Sequence, residues 1–158
     1  MDTAPSNEPE VVRLMALDLG EKRIGIAVSD QNWMVARGLE VIKRSSRKAD
    51  FEKISQIAQE QHVCTIVVGN PILSNGEEGS RSAWARDYAA DLAQTISIET
   101  VLWDESLTTA DAEASLRDRG VHRDKRRQRI DAVAAAFILQ SYIDYLCMED
   151  ARRLDDEE

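Results

Sequence analysis

Three acids in this chain stand where apolar residues belong. Asp18 closes the run Val11-Val12-Arg13-Leu14-Met15-Ala16-Leu17 and is followed at once by Leu19-Gly20. Glu105 comes just after Ile98-Glu99-Thr100-Val101-Leu102-Trp103, and Asp131 opens onto Ala132-Val133-Ala134-Ala135-Ala136-Phe137-Ile138-Leu139. A carboxylate at the tip of a core strand is costly to leave unpaired, because desolvation disfavours its charged form. If folding gathers the three, their oxygens would make a site for a divalent metal.

Each acid also has a plainer use. Asp18 could cap a turn through the amides of Gly20 or Glu21, a common role for Asp before Gly. Glu105 has a rival in its neighbour Asp104, since a shift of one residue turns a strand side chain to the other face of a sheet. Asp131 could merely favour the positive end of a helix dipole. Against that, the helix that carries it is expected to begin earlier, near Lys125, and is apolar on nearly every side from Ala132 onward.

These residues need a scaffold, and 158 residues suffice for one domain with a real core. No uninterrupted apolar stretch approaches the roughly 20 residues that span a bilayer. The start, Met1 to Glu10, is polar and acidic, unlike a signal peptide. Cys64 and Cys147 lie in apolar segments without metal-type spacing and are read as reduced core thiols of a cytoplasmic protein. The net charge of −9 speaks at first against a polyanionic partner. Its distribution does not: residues 1–10 carry −3 and residues 149–158 carry −4, which leaves −2 for the body. Both ends read as disordered acidic tails. Within the body, Lys43-Arg44-Ser45-Ser46-Arg47-Lys48 and the stretch from Arg117 to Arg129 concentrate positive charge, as solvated surface or as an anion-binding face.

Apolar patterning predicts a strand over 11–18, a second over 23–29 joined by so short a link that the pair must be antiparallel, and a third extended piece over 34–42. The period then changes. Phe51, Ile54, Ile57 and Ala58 fall on one face of a helix over 47–61. Cys64 to Val68 is a short β-branched run suited to a central strand and stopped by Gly69-Asn70-Pro71. A helix over 80–95, a strand over 98–103, a helix from Thr108 to Gly120 and a last helix over about 125–148 follow. The order β-β-β-α-β-α-β-α-α is a meander continued by strands that need helical crossovers. It specifies an α/β fold, a mixed five-stranded sheet with helices on its faces.

At this point the motifs are specific enough to carry a resemblance. Leu17-Asp18-Leu19-Gly20, Lys22 to Asp30, Val67-Val68-Gly69-Asn70-Pro71 with Gly76 and Gly79, Trp103 to Thr109 and Ile130 to Ala135 resemble, in order and spacing, the YqgF family. That family comprises Holliday-junction resolvases also described as nucleases that mature precursor 16S ribosomal RNA. The resemblance covers almost everything between Arg13 and Asp144. It implies an RNase H-like fold over 11–148 with strand order 3-2-1-4-5, strand 2 antiparallel, and an acidic triad of Asp18, Glu105 and Asp131. Hard carboxylate oxygens are what Mg2+ or Mn2+ prefers. Two such ions about 4 Å apart can activate water and stabilise the leaving oxygen of a phosphodiester. One departure is Ser106, which stands where an Arg often follows the family's Glu.

The topology poses a difficulty for this triad. The fifth strand lies two positions from the first, about 10 Å away, so Glu105 must reach across the end of strand four, where Gly69 and Asn70 leave room. For nucleic acid, the candidate contacts are Lys22, Arg23, Arg81 and the run Lys125, Arg126, Arg127, Arg129 beside Asp131. The loop Asn70 to Gly79 leads into a helix whose free amides could hold a phosphate, or it is an ordinary loop. Trp33, Trp84 and Trp103 read as core rather than as base-stacking platforms, and His62 and His122 have no recognisable partners. The expected activity is metal-dependent cleavage of structured nucleic acid, with precursor rRNA favoured and branched DNA the alternative. A binding or processing factor with little turnover is a second class of reading. A symmetric junction resolvase would need two sites, hence a weak homodimer, whereas trimming one RNA end would not.

Overall fold

The structure, a computed structural model, describes residues 11–71, 79–105 and 130–156. Five strands, β1 (Arg13–Leu19), β2 (Arg23–Ser29), β3 (Ala36–Lys43), β4 (Val63–Asn70) and β5 (Glu99–Asp104), form one sheet in the order β3-β2-β1-β4-β5. β2 runs antiparallel to β1 and β3, while β4 and β5 run parallel to β1. Both the mixed sheet and its order agree with expectation. The helices are α1 (Arg47–Glu60), α2 (Ser80–Ile96) and α3 (Ile130–Asp156). The helix expected between Thr108 and Gly120, the basic run from Lys125 to Arg129, and Gly76 lie outside the described residues.

The pleat sorts the chain into two cores. Met15, Leu17 and Leu19 of β1 point to the layer of α1 and α2, packing with Phe51, Ile54, Tyr88 and Leu92. Leu14 and Ala16 point the other way, onto Ala135, Ile138 and Leu139 of α3. Alternation therefore puts Asp18 on the α3 side. α1 begins where Ser46 accepts a hydrogen bond from the Ala49 amide, and the buried Asp50 accepts one from the Ser45 amide. Ser82 in the first turn of α2 donates to Asn70 Oδ1 at 2.7 Å, which fixes that helix start to the end of β4.

α3 lies across the sheet. A Cβ on Gly38 of β3 would come within 3.0 Å of the Ala132 carbonyl oxygen, so the helix rests directly on the strand there. Further along, Gln140 is fully buried; its Oε1 accepts from the Ala36 amide at 2.9 Å and its Nε2 donates to the Met34 carbonyl at 3.2 Å. Two expectations change on this helix. Its end, placed near Met148, comes at Asp156 instead, because Ala151, Arg152 and Leu154 favour helix and Arg152 pairs with Glu149 one turn back. Residues 149–156 thus continue α3 rather than forming a tail. Cys147 is exposed and not a core thiol, since the helix by then presents that position away from the sheet. Cys64 packs against the α3-side core as expected. Trp33 and Trp103 pack against that core and Trp84 against the other.

Candidate metal centre and strand-end cleft

The parallel strands β1, β4 and β5 all end at one edge of the sheet, where open α/β sheets place their sites. Asp18 is half-buried at the end of β1, paired in register with Gly25 of β2. The β1–β4 register runs to Leu17 and Val68, so Asp18 and Gly69 stand at the next level, one strand apart. In β5, Trp103 pairs with Gly69 and packs on the α3 side, whereas Leu102 packs on the α2 side. Asp104, paired with Asn70, shares the parity of Leu102.

Glu105 follows β5 directly and folds back over Gly69. Its Oε1 lies 2.7 Å from the position a Cβ on Gly69 would occupy, alongside the Cδ1 of Ile138 from α3 at the same distance. With Glu105 in this position a side chain at 69 could enter only if Glu105 or Ile138 moved. The carboxylate has crossed one strand spacing, about 4.8 Å, and lies over the strand adjacent to Asp18 rather than two strands away. Pleat and packing thus set the two neighbours apart, Glu105 over Gly69 and Asp104 with the parity of Leu102.

The environment of Glu105 is unfavourable to its charge. Burial pushes its carboxyl above the ordinary value, the Arg81 guanidinium pulls it back down, and Asp104 adds a smaller push upward. Asp131 is the second described residue of α3, four and seven residues before Ala135 and Ile138; its side chain, and the expected helix start near Lys125, lie outside the described residues. Among the described residues no cluster of three metal-ligating side chains is present. The two carboxylates that are described are hard oxygen donors on one side of the sheet, and burial raises Glu105 more than Arg81 lowers it. This donor set fits a divalent cation of the magnesium type.

Of the expected nucleic-acid contacts, Lys22, Arg23 and Arg81 are described and sit around the same edge. Lys22 and Arg23 are exposed on the β1–β2 turn, where the Gly20 amide donates to the Arg23 carbonyl at 2.9 Å. Arg81 is exposed on the first turn of α2. A residue that sequence reasoning missed is Arg44. Its Nη1 donates to the carbonyls of Gly20 and Glu21, both at 2.9 Å, and its guanidinium lies 4.4 Å above the Trp84 ring. Within a six-residue basic cluster nothing singled it out; only its place at the end of β3, level with the β1–β2 turn, could have done so.

A protein-family model described as RuvX, Holliday junction resolvase, matches residues 12–145. The chain belongs to this family. RuvX is the family whose YqgF motifs the sequence resembles, and it is a family of nucleases. Two curated relatives, each named "Putative pre-16S rRNA nuclease", come from Thermoanaerobacter pseudethanolicus and Myxococcus xanthus. The first is 44% identical over 134 residues, covering 84% of this chain and 96% of its own. The second is 43% identical over 133 residues, covering 84% and 88%. Among solved structures, Thermus thermophilus RuvC in complex with a Holliday junction superposes with a TM-score of 0.58 at 16% identity, over 85% of this chain and 96% of that one. The fowlpox virus resolvase bound to Holliday junction DNA gives 0.53 at 10% identity, over 85% and 98%. The RuvX chain therefore has the RNase H-like fold of these resolvases.

Proposed function

We propose that this RuvX-family chain is a divalent-metal-dependent endonuclease that trims the 5′ end of precursor 16S ribosomal RNA in the cytoplasm. Asp18, Glu105 and Asp131 hold Mg2+ or Mn2+ and are its catalytic acids. The observation that carries this reading is Glu105 lying over Gly69, on the strand next to Asp18. When bound, the ions lower the pKa of water and offset charge on the phosphate oxygens. The chain's own residues do the rest. Asp18, on a central strand, anchors the site; Glu105 reaches over Gly69 beside Ile138; Lys22, Arg23, Arg81, Lys125, Arg126, Arg127 and Arg129 engage the phosphate backbone.

RNA is favoured over junction DNA by the weight of the likenesses. The relatives named for rRNA maturation share over two-fifths of their residues with this chain, at 44% and 43% identity. RuvC shares 16%, which supports the fold alone. The description of the family itself favours junction resolution as a second reading, and that would use a weak homodimer to supply two sites.

The experiment is cleavage of a precursor 16S rRNA fragment and of a four-way DNA junction with Mg2+ or Mn2+, using Asp18→Asn and Asp131→Asn. Loss of RNA cleavage in both variants is expected. Activity surviving both substitutions overturns the metal mechanism, and salt-sensitive RNA binding without metal-dependent cutting returns the chain to a processing-factor role.

A further inference from the structure

A cleft of about 340 Å3 opens at the same sheet edge, on the α2 side, and its lining includes Gly20, Glu21, Arg44, Gly69, Arg81 and Trp84. Two features make it a place for an anion. The first is Arg44. Its guanidinium is clamped by the Gly20 and Glu21 carbonyls and the Trp84 ring, its Nε is buried without a partner, and no carboxylate pairs with it among the described residues. An uncompensated cation in a concave site with an aromatic wall attracts negative charge more strongly than one on an open surface. The second is the start of α2. Its N-cap is Gly79, which has no side chain to occupy the first-turn amides, and Arg81 in that turn lines the cleft. Among the described lining residues Glu21 is the one acid, exposed, beside two arginines, Arg44 and Arg81.

The cleft also adjoins the acid site. Gly69 is the floor under Glu105 and a wall of the cleft, and Gly20 follows Asp18 by two residues. Arg81 acts on both, lining the cleft while lowering the Glu105 carboxyl. A strand laid across the ends of β1 and β4 passes from one to the other. We propose that the cleft seats a second phosphodiester of the substrate strand, neighbour to the one at the acids, with Arg44 as its principal cation and Arg81 between the two. This rests on the nuclease reading above.

The test measures binding, with no dependence on cutting. A fluorescent single-stranded RNA from the precursor 5′ end is titrated in EDTA over a salt series, for the full chain and for Arg44→Gln, Arg44→Lys and Arg81→Gln, each checked by thermal melting. Each phosphate that the protein no longer neutralises lowers the slope of log affinity against log salt by about 0.7 for a single strand. Arg44→Gln and Arg81→Gln are each expected to reduce the slope by about that much, whereas Arg44→Lys keeps most of it. A purely structural role for Arg44 would move the melting temperature and leave the slope in place. Should Arg44→Gln not fold, Arg81→Gln alone decides, because its side chain is exposed. RNA binding by the unaltered chain with unchanged slopes in the folded variants overturns the cleft proposal only. No RNA binding by the unaltered chain overturns the nuclease reading with it.

Discussion

Glu105 occupies the space that the absent side chain of Gly69 leaves open, with its Oε1 2.7 Å from where a Cβ would stand. This relationship lets the acid just after the edge strand β5 reach the strand beside Asp18, and it makes the glycine part of the proposed site.

Gly69→Ala is therefore expected to separate activity from stability. The atoms a methyl group would meet, Glu105 Oε1 and Ile138 Cδ1, are ends of flexible side chains that can turn aside. Overpacking of this kind costs about 1–3 kcal/mol. Displacing the carboxylate by about 1 Å is expected to lower cleavage on the order of 100-fold. Gly38→Ala is the contrast, because its methyl would press on the Ala132 carbonyl of the helix backbone itself. It should lower the melting temperature more than Gly69→Ala does. Melts and single-turnover cleavage of both variants check the pair, and equal activity in Gly69→Ala and the unaltered chain would refute it.

Glu105 should also leave a signature in the pH dependence of stability. Burial raises its folded-state pKa, with Arg81 opposing and Asp104 reinforcing. The native state then holds this proton more tightly than the unfolded chain does. Stability contributed by the group is present below the unfolded pKa and declines as pH rises through the folded value. Urea unfolding in EDTA across the acid to neutral range is expected to show that decline, and Glu105→Gln should lack it and be the more stable at neutral pH. Parallel curves for the two proteins would remove the charge cost assigned to this residue.

Much of this fold was readable from apolar period and turn residues. The β1–β2 link is too short for anything but an antiparallel pair, and the runs 64–68 and 98–103 needed helical crossovers, so a mixed five-stranded sheet followed; the order β3-β2-β1-β4-β5 was implied only by the family resemblance. The site was legible as far as residue types allow. Asp18 stood out by its place after a core strand, but the preference for Glu105 over Asp104 rested on family pattern and side-chain length, and the close approach of Glu105 to Gly69 was not legible. Arg44 was illegible within its basic cluster, because its meaning comes from contacts with Glu21 and Trp84, distant in sequence. The last turns of α3 were hidden for a related reason: acidic composition suggested a tail, while local helix propensity and the Arg152–Glu149 pair extend the helix.

Gln140 is a polar residue inside an apolar helix, and its burial is explained by what it satisfies. It accepts from the Ala36 amide and donates to Asp144 Oδ1 at 2.9 Å, joining α3 to the start of β3. Gln140→Leu keeps the bulk and strands the Ala36 amide, for which a loss of about 1–3 kcal/mol is expected. Chemical denaturation measures it. A neutral result would mean that water replaces the side chain at the strand start.

Metal binding can be followed without any substrate. A ligand that binds only the folded state stabilises it by about 2.7 kcal/mol at 100 times its dissociation constant, so Mn2+ is expected to raise the melting temperature of the unaltered chain in a saturable way. Asp18→Asn and Glu105→Gln should each abolish most of that rise. Asp104→Asn should retain it, because Asp104 has the parity of Leu102 and so belongs to the α2 side of the sheet. The comparison of the two adjacent acids is the sharpest form of the test. Both carry the same charge at nearly the same place in the sequence, so a nonspecific electrostatic effect would weaken the metal response equally in the two variants. A response lost only with Glu105 requires the geometry that Gly69 permits.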